Sequence, residues 1–496
     1  MSFSPLRLQP FAPLLAVCLA ALLSACASHQ TEPPDVSAAE DASFRQAPDP
    51  APAVESNWWR GFDDAALMAL VQRAQSANHD VRIAVQRVRQ ARAGQTAVAS
   101  RLWPTVSLTG SASDERSGLP EQVKQGKPDT RAYRGALDLG WELDVFGAAR
   151  AGADAAELDA LTAEEGVDTA RWLVSSEVAR QYIVWQSARL RLAKLDALLK
   201  AQADTERLTR SREAAGLASR FDVARAAGEV QALAAQLPPL RTLVAVTETQ
   251  LAVLVGANPN RPLTELDVST APWLPTPPRL SARQPVDLLM RRPDLRVAQK
   301  LFMAEAARLR EAQADRWPKF FLAAAFGRQD LRLNALDLSP VRYSTAALAF
   351  TMPLFDAGRL RAAVERQSAK ERMATLQYEK AVLGAVKDVD DSLVALAQER
   401  DRSAALDATT QQRRTGLRHA ESLYREGQID LLQLLDAQRA VIAAELSAID
   451  GQAQLALNTV QLASALGGGW QDMPAAVTSN THTSTTTPSL APESLP

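Results

Sequence analysis

Histidine, cysteine and long apolar runs are what this 496-residue sequence has least of. The four histidines, His29, His79, His419 and His482, are scattered, so no histidine cluster offers itself as a metal site or a catalytic base. Of the two cysteines, Cys18 and Cys26, the first is lost with an N-terminal signal, so no internal disulfide forms. Beyond the N-terminus no apolar run of about 20 residues exists, so no membrane-spanning helix is expected. Charge is nearly balanced, 55 Lys and Arg against 57 Asp and Glu, which gives no electrostatic case for nucleic acid. No nucleophile–base pair stands out, and Gly467-Gly468-Gly469 lacks the Lys-Ser/Thr that a phosphate loop needs. The sequence therefore does not read as an enzyme, and no cofactor is expected beyond a covalent lipid on the first mature residue.

That lipid is expected at Cys26. Arg7, the apolar run Phe11 to Leu23 and small residues before a cut site describe a secretory signal over 1–25. Leu23-Ser24-Ala25-Cys26 resembles a bacterial lipobox, in which the cysteine becomes the lipidated first residue. The competing reading is an ordinary signal with a chance cysteine. In that family of signals an alanine after the cysteine, here Ala27, favours the outer membrane. Residues 26–56, rich in Pro, Ala, Asp and Ser, read as an extended tether.

What is abundant is long-helix composition, interrupted twice by a change of period. Amphipathic helices follow Asn57-Trp58-Trp59, broken at Asn78 and His79. After Trp103-Pro104 the pattern alternates. Val106, Leu108, Gly110 and Ala112 face one way over about 104–113, and Tyr133, Gly135, Leu137, Leu139 and Trp141 do so over about 132–145. Strands of this length with one apolar face suit a membrane barrel, and equally a half-buried soluble hairpin. From Ala148 to Ala215 there is no proline, and a helix over that span would reach about 100 Å. The returning helix, Ser219 to Val255, is expected to kink or break at Pro238-Pro239.

The plan then restarts. Residues 57–257 form a first repeat, 258–284 a proline-rich connection, 285–470 a second repeat, and 471–496 a Ser/Thr/Pro tail that reads as disordered. Gly216 answers Gly427 and Gly256 answers Gly467, about 211 residues apart. Asp222 falls where Gln433 is. Further strands are expected at about 319–327 and 343–354, with a loop from Arg328 to Val341. Phe355-Asp356-Ala357-Gly358-Arg359 matches Phe146-Gly147-Ala148-Ala149-Arg150. The last helical stretch, Tyr424 to Gly468, carries Ile442, Leu446, Ile449 and Ala453 in coiled-coil steps. Four membrane strands cannot close a barrel, so several chains must share one. Two copies give eight strands and three give twelve.

Taken in order, the lipobox, Asn57-Trp58-Trp59, the stretch Trp141 to Gly147, Arg291-Arg292-Pro293-Asp294, Pro353 to Arg359 and Leu434 to Arg439 carry a resemblance over nearly all of Cys26 to Trp470. The chain resembles outer-membrane efflux proteins of the TolC family, closest to the NodT-like, OprM-like lipoprotein branch. The resemblance implies a mainly α fold with membrane β, in which three copies build a 12-stranded β-barrel continuous with a periplasmic α-helical barrel. It implies a homotrimer set in outer-membrane lipid, a periplasmic adaptor and an inner-membrane resistance-nodulation-division pump as partners, and no nucleic acid. Pro238-Pro239, the connection from Asn258 to Leu289 and the C-terminal stretch are expected near an equatorial girdle.

The resemblance also implies a periplasmic gate at the helix turns. By position Leu432 supplies its apolar constriction and Asp436 a ring of three carboxylates that repels anions and holds cations. Without the resemblance, Leu432 reads as a coiled-coil knob and Asp436 as a solvated helix carboxylate. Asp222 and Tyr424 match positions that latch related tips. Departures at Ile429 and Gln433 mean that the latch differs in detail, with Arg220 or Arg225 as its candidate cation. A lipidated periplasmic adaptor would carry one hairpin, not two full copies. A type I protein-secretion duct is the alternative within the family.

Overall fold

The computed structural model describes residues 44, 57–116, 118, 130–266, 271–280, 291–333 and 336–469. The signal, Cys26, most of the tether, the first residues of the second repeat and the tail lie outside these residues. The first half runs from a 3-10 turn (Trp58–Phe62) through α1 (Ala65–Ala77), α2 (His79–Ala99), β1 (Thr105–Glu115), β2 (Thr130–Leu143), α3 (Ala148–Ala214) and α4 (Arg220–Ala234) to α5 (Leu237–Leu254). The second half runs from α6 (Pro293–Ala314) through β3 (Lys319–Leu333), β4 (Leu336–Thr351) and α7 (Arg359–Arg425) to α8 (Leu431–Ala465). The stretch from Tyr424 to Gly468 is therefore not one helix. Tyr424 lies in the last turn of α7, which ends at Arg425, and the turn at Gly427 leads to α8.

Four glycines at matching places explain why the halves share a shape. Gly216, Gly256, Gly427 and Gly467 all have positive φ, between 68° and 75°. Each follows a helix, and the next residue's N–H reaches back to close a Schellman turn: Leu217 to Arg212 O at 2.8 Å and Gln428 to Leu423 O at 2.8 Å at one end, Ala257 to Ala252 O at 2.8 Å and Gly468 to Ala463 O at 3.2 Å at the other. Gly256 packs where an added Cβ would lie 2.5 Å from Ala77 O, so chain direction and packing both require glycine there. The strand-to-helix corners repeat as well. Gly147 (φ 81°) and Gly358 (φ 86°) precede α3 and α7. Asp144 accepts the N–H groups of Ala149 and Arg150 at 3.1 and 2.8 Å, and Asp356 those of Gly358 and Leu360 at 3.0 and 2.9 Å. The structural equivalent of Gly147 is thus Gly358, two residues later than the sequence match placed it.

Helices α3 and α7 have 67 residues each, about 100 Å of unbroken helix. Both lack proline. At Pro238-Pro239 the returning helix does break, because proline is accepted only in the first turn of α5, where no N–H is needed. Leu237 and Leu240 pack there with Leu195 and Leu233, apart from the main core. That core holds Trp58, Trp59, Phe62, Leu67, Tyr182 and Trp185, with Leu263, Leu266 and Leu280 of the connection and Leu466 of the C-terminal stretch. The connection and C-terminal stretch therefore share one core, which Leu237 and Leu240, flanking Pro238-Pro239, do not join.

One polar triad is set inside that core. Asp64 caps α1 by accepting the N–H of Ala66 at 2.9 Å and of Leu67 at 3.0 Å, and it also accepts the Tyr182 hydroxyl at 2.7 Å. Gln186 donates to the same hydroxyl oxygen at 3.0 Å. Burial, reinforced by the Asp64 charge, pushes the Tyr182 phenol well above its ordinary value. The phenol therefore stays neutral in the fold but ionises near pH 10 when unfolded, so its contribution is present below that pH and lost above it. Asp64→Ala removes the cap and orphans the phenol, and is expected to cost about 2–4 kcal/mol. A thermal midpoint of the detergent-solubilised protein indistinguishable from wild type, against an expected drop of about 2–4 °C for a chain this long, would contradict that placement.

The sheet has order β1-β2-β3-β4, antiparallel throughout, and among the described residues both outer strands are unpaired on one side. Its register aligns the alternations. Val106 faces Leu139, Leu139 faces Ala324 and Ala324 faces Ala346; Leu108, Leu137 and Phe326 form the next row. The other face carries Thr109, Arg134 and Asp138, with Thr109 Oγ1 donating to Asp138 at 2.6 Å and Arg134 bonding Asp138 at 3.2 Å. The third and fourth strands are longer than the sequence pattern indicates. Residues expected to be a loop, Arg328 to Val341, are mostly strand, with a bulge between Gln329 and Leu331. Partner strand β2 reaches Thr130 and pairs residue by residue to Leu333, so the hydrogen-bond ladder extends beyond the apolar band.

Candidate functional site

The two helix turns, between α3 and α4 and between α7 and α8, lie at the end of the chain farthest from the sheet. Each starts its second helix with a side-chain cap. Ser219 accepts the N–H of Asp222 at 3.1 Å, and the Asp222 carboxylate accepts the N–H and hydroxyl of Ser219 at 2.9 and 2.7 Å. Those bonds hold the Asp222 carboxyl below its usual range. In the second half Asp430 accepts the Gln433 N–H at 2.9 Å. Asp222 and Gln433 thus occupy the same place. Within this chain Asp222 is a helix cap, with its bonds satisfied locally.

Behind the second turn Leu431, Leu434 and Leu435 are buried with Tyr424. Leu432, one residue on from Leu431, points out of that cluster and is 39 % exposed. Asp436 is on the same helix one turn later, and its side chain is 59 % exposed. The two residues expected at a gate are therefore the exposed ones, while their neighbours form the core.

Three contacts tie this hairpin to the first one. The Arg212 guanidinium stands 4.7 Å over the Tyr424 ring, a cation–π contact. Gln438 donates to Thr205 Oγ1 at 3.0 Å. Arg439 donates through Nε to Glu229 at 2.9 Å, with a second bond from its Nη2, and reaches Asp436 at 3.2 Å. The guanidinium of Arg439 holds the Glu229 carboxyl below its usual range. Farther up, the buried Glu445 accepts Arg414 at 2.6 Å and Lys194 at 2.9 Å, joining α8 to α7 and α3.

Sequence reading offered Arg220 or Arg225 as the cation here. Within the chain Arg220 is almost fully exposed and 3.8 Å from Glu213, Arg225 lies near enough to Asp222 and Glu229 to favour their charged forms, and the cations that join the two hairpins nearest the turns are Arg212 and Arg439. Tyr424 is buried against Arg212 rather than extended towards a neighbour. A signal for Arg439 existed, since it lies three residues after Asp436 on the same helix face. Its partner Glu229 is about 210 residues distant, and nothing local announces it.

The opposite end supplies the other half of a conduit. Trp103 and Trp317 are exposed at the base of the sheet, Phe146 stacks on Trp317 with ring centroids 5.4 Å apart, and Tyr133 is exposed near the far end of the apolar rows. Aromatic residues at both margins of an apolar band mark membrane–water interfaces. Among the described residues no helix is long and apolar enough to cross a membrane.

Comparison with known proteins agrees with this geometry. The model of the outer membrane efflux protein family matches the chain twice, over residues 70–257 and 285–468. Nodulation protein T of Rhizobium leguminosarum bv. trifolii is 28 % identical over 429 residues, covering 83 % of this chain and 88 % of that one. The pyoverdine export outer membrane protein OpmQ of Pseudomonas putida is 31 % identical over 473 residues, covering 92 % and 97 %. The solved outer-membrane channel OprN superposes with a TM-score of 0.78 at 28 % identity, over 89 % of this chain and 98 % of that one. A duplicated chain, matched in both halves and along nearly its whole length, with one sheet for the membrane and helices reaching far from it, belongs to the outer membrane efflux protein family.

Proposed function

We propose that three copies of this chain form the outer-membrane exit duct of a tripartite efflux system, receiving small molecules from an inner-membrane resistance-nodulation-division pump through a periplasmic adaptor. The observation that carries this is the four-stranded sheet with two free edges and one apolar face. An unpaired edge cannot face lipid, so β4 of one copy pairs with β1 of the next until twelve strands close. The duct is passive and performs no chemistry. Cys26, outside the described residues, carries the lipid that fixes the chain to the membrane. Export of pyoverdine by a relative favours small molecules over proteins as cargo.

At the periplasmic tip, three Leu432 side chains close the hole and three Asp436 carboxylates ring it. Arg212–Tyr424, Gln438–Thr205 and Arg439–Glu229 hold the second hairpin against the first in the closed state. Adaptor binding favours the opened arrangement, a shift of population. Asp222 extends this latch to a neighbouring copy when the three tips meet. Purified in detergent, the chain is expected to be a trimer that conducts when placed in a planar bilayer. A monomeric water-soluble particle would overturn the proposal.

The Arg439–Glu229 link gives a pH dependence. A lowered carboxylate pKa contributes to the closed tip above its unfolded value, near 4.3, and the contribution fades as pH falls through the lower folded value. Arg439→Gln is expected to raise the open fraction at pH 7 and to flatten the rise in channel opening that wild type shows below about pH 4. Equal open fractions for the two proteins at pH 7 would place the latch elsewhere.

A further inference from the structure

One row of the sheet breaks the alternation. Across the four strands, on the face that carries Leu108, Leu137 and Phe326, the next row reads Gly110, Gly135, Arg328, Arg342. Two arginines thus stand directly opposite each other on β3 and β4, both exposed. Like charges in such a pair repel. Neither makes an ion pair among the described residues; the one carboxylate in the adjoining row is Asp330, two residues along β3. The glycines beside them are not forced by the backbone or by crowding. Neither has positive φ, and a Cβ at Gly135 would meet nothing within 4 Å. Their effect is a bare floor: a cavity of about 660 Å³ whose lining includes Gly110, Gly135, Arg134, Arg328, Asp330 and Pro340, with Arg342 outside that lining but opposite Arg328 on the next strand.

We propose that this notch is a binding site for the phosphate of an outer-leaflet lipid headgroup. The inference rests on the membrane-spanning reading of the sheet. Arg328 lies eight residues beyond Phe320, roughly 27 Å along the strand and about 20 Å after barrel tilt, which puts it at the outer edge of the apolar band. The hairpin ends point away from the helices, so this edge is the external one. A phosphate between the two guanidiniums converts their repulsion into charge-assisted, bidentate hydrogen bonding. The lipid's acyl chains then descend over the apolar rows of Phe326 and Leu348. Tyr133 supplies the interfacial ring beside the headgroup.

The test uses the full-length trimer in detergent, titrated separately with diphosphorylated lipid A, dephosphorylated lipid A and inorganic phosphate, with native mass spectrometry and the thermal midpoint as readouts. Diphosphorylated lipid A is expected to bind about tenfold more tightly than the dephosphorylated form. The Arg328→Gln/Arg342→Gln double variant should lose that preference, and Gly135→Leu, which fills the notch from another strand, should weaken it. A preference retained in the double variant overturns the site. Inorganic phosphate giving the same shift at equal concentration overturns the lipid as its ligand. A wild-type trimer that conducts but shows no phosphate preference overturns this site alone and leaves the duct standing.

Discussion

Replacing Leu432 and Asp436 together with alanine is expected to raise single-channel conductance several-fold and to increase antibiotic uptake by cells that carry the variant. The reasoning is geometric. Leu432 is exposed on a helix whose other leucines, Leu431, Leu434 and Leu435, are buried, so the substitution removes little packing within the chain. On a three-fold axis, three leucine side chains exclude hydrated solutes, and three carboxylates set the charge selectivity of whatever passes. Alanine at both positions widens the hole and removes the fixed charge, so cation preference falls as conductance rises. Loss of Asp436 also frees Arg439 from one of its two carboxylates, while its bonds to Glu229 remain. The hairpins therefore stay joined, and the change reports the constriction rather than a collapsed tip. Unchanged conductance and unchanged uptake would remove both residues from the gate.

A second large effect is expected in the sheet. Leu348 and Ala347 are neighbours on β4 and point to opposite faces. Leu348→Arg places a guanidinium on the row shared with Leu322 and Trp141, the lipid face. Between the inner interface and the bilayer midplane this costs about 1–3 kcal/mol per copy, hence about 3–9 kcal/mol for a barrel of three. Trimer recovered from outer membranes should fall to a small fraction of wild type. Ala347→Arg adds the same charge to the face where Arg134, Asp138 and Glu142 stand, in water, and should assemble normally. Equal yields from the two variants would show that the sheet does not separate lipid from water.

Much of this architecture is legible in the chain because its causes are local. A glycine at positive φ lets the chain turn back out of a helix, so Gly216 and Gly256 in the first half and Gly427 and Gly467 in the second mark the same two helix ends in each. Alternation of period two survives in the strands because each side chain must choose lipid or water. The reading failed where a distant partner decided. Arg328 to Val341 looked like a loop because charged residues replace apolar ones there. It is strand because β2 continues alongside and a buried or paired backbone donor follows its partner, not its own side chain.

The gate residues divide in the same way. That Leu432 and Asp436 are exposed follows from spacing along one helix, while their expected role at a gate came from the family resemblance alone. The contacts that hold the tip, Arg212 with Tyr424 and Arg439 with Glu229, join residues more than two hundred positions apart, and the chain has several other arginines as near to the turns. Sequence alone determined the repeated elements, their ends and the two-sided sheet, because dihedral preference and solvent choice act residue by residue. Tertiary structure alone decided which cation meets which carboxylate, and how far the strands run, because both depend on what two separate segments bring to one place.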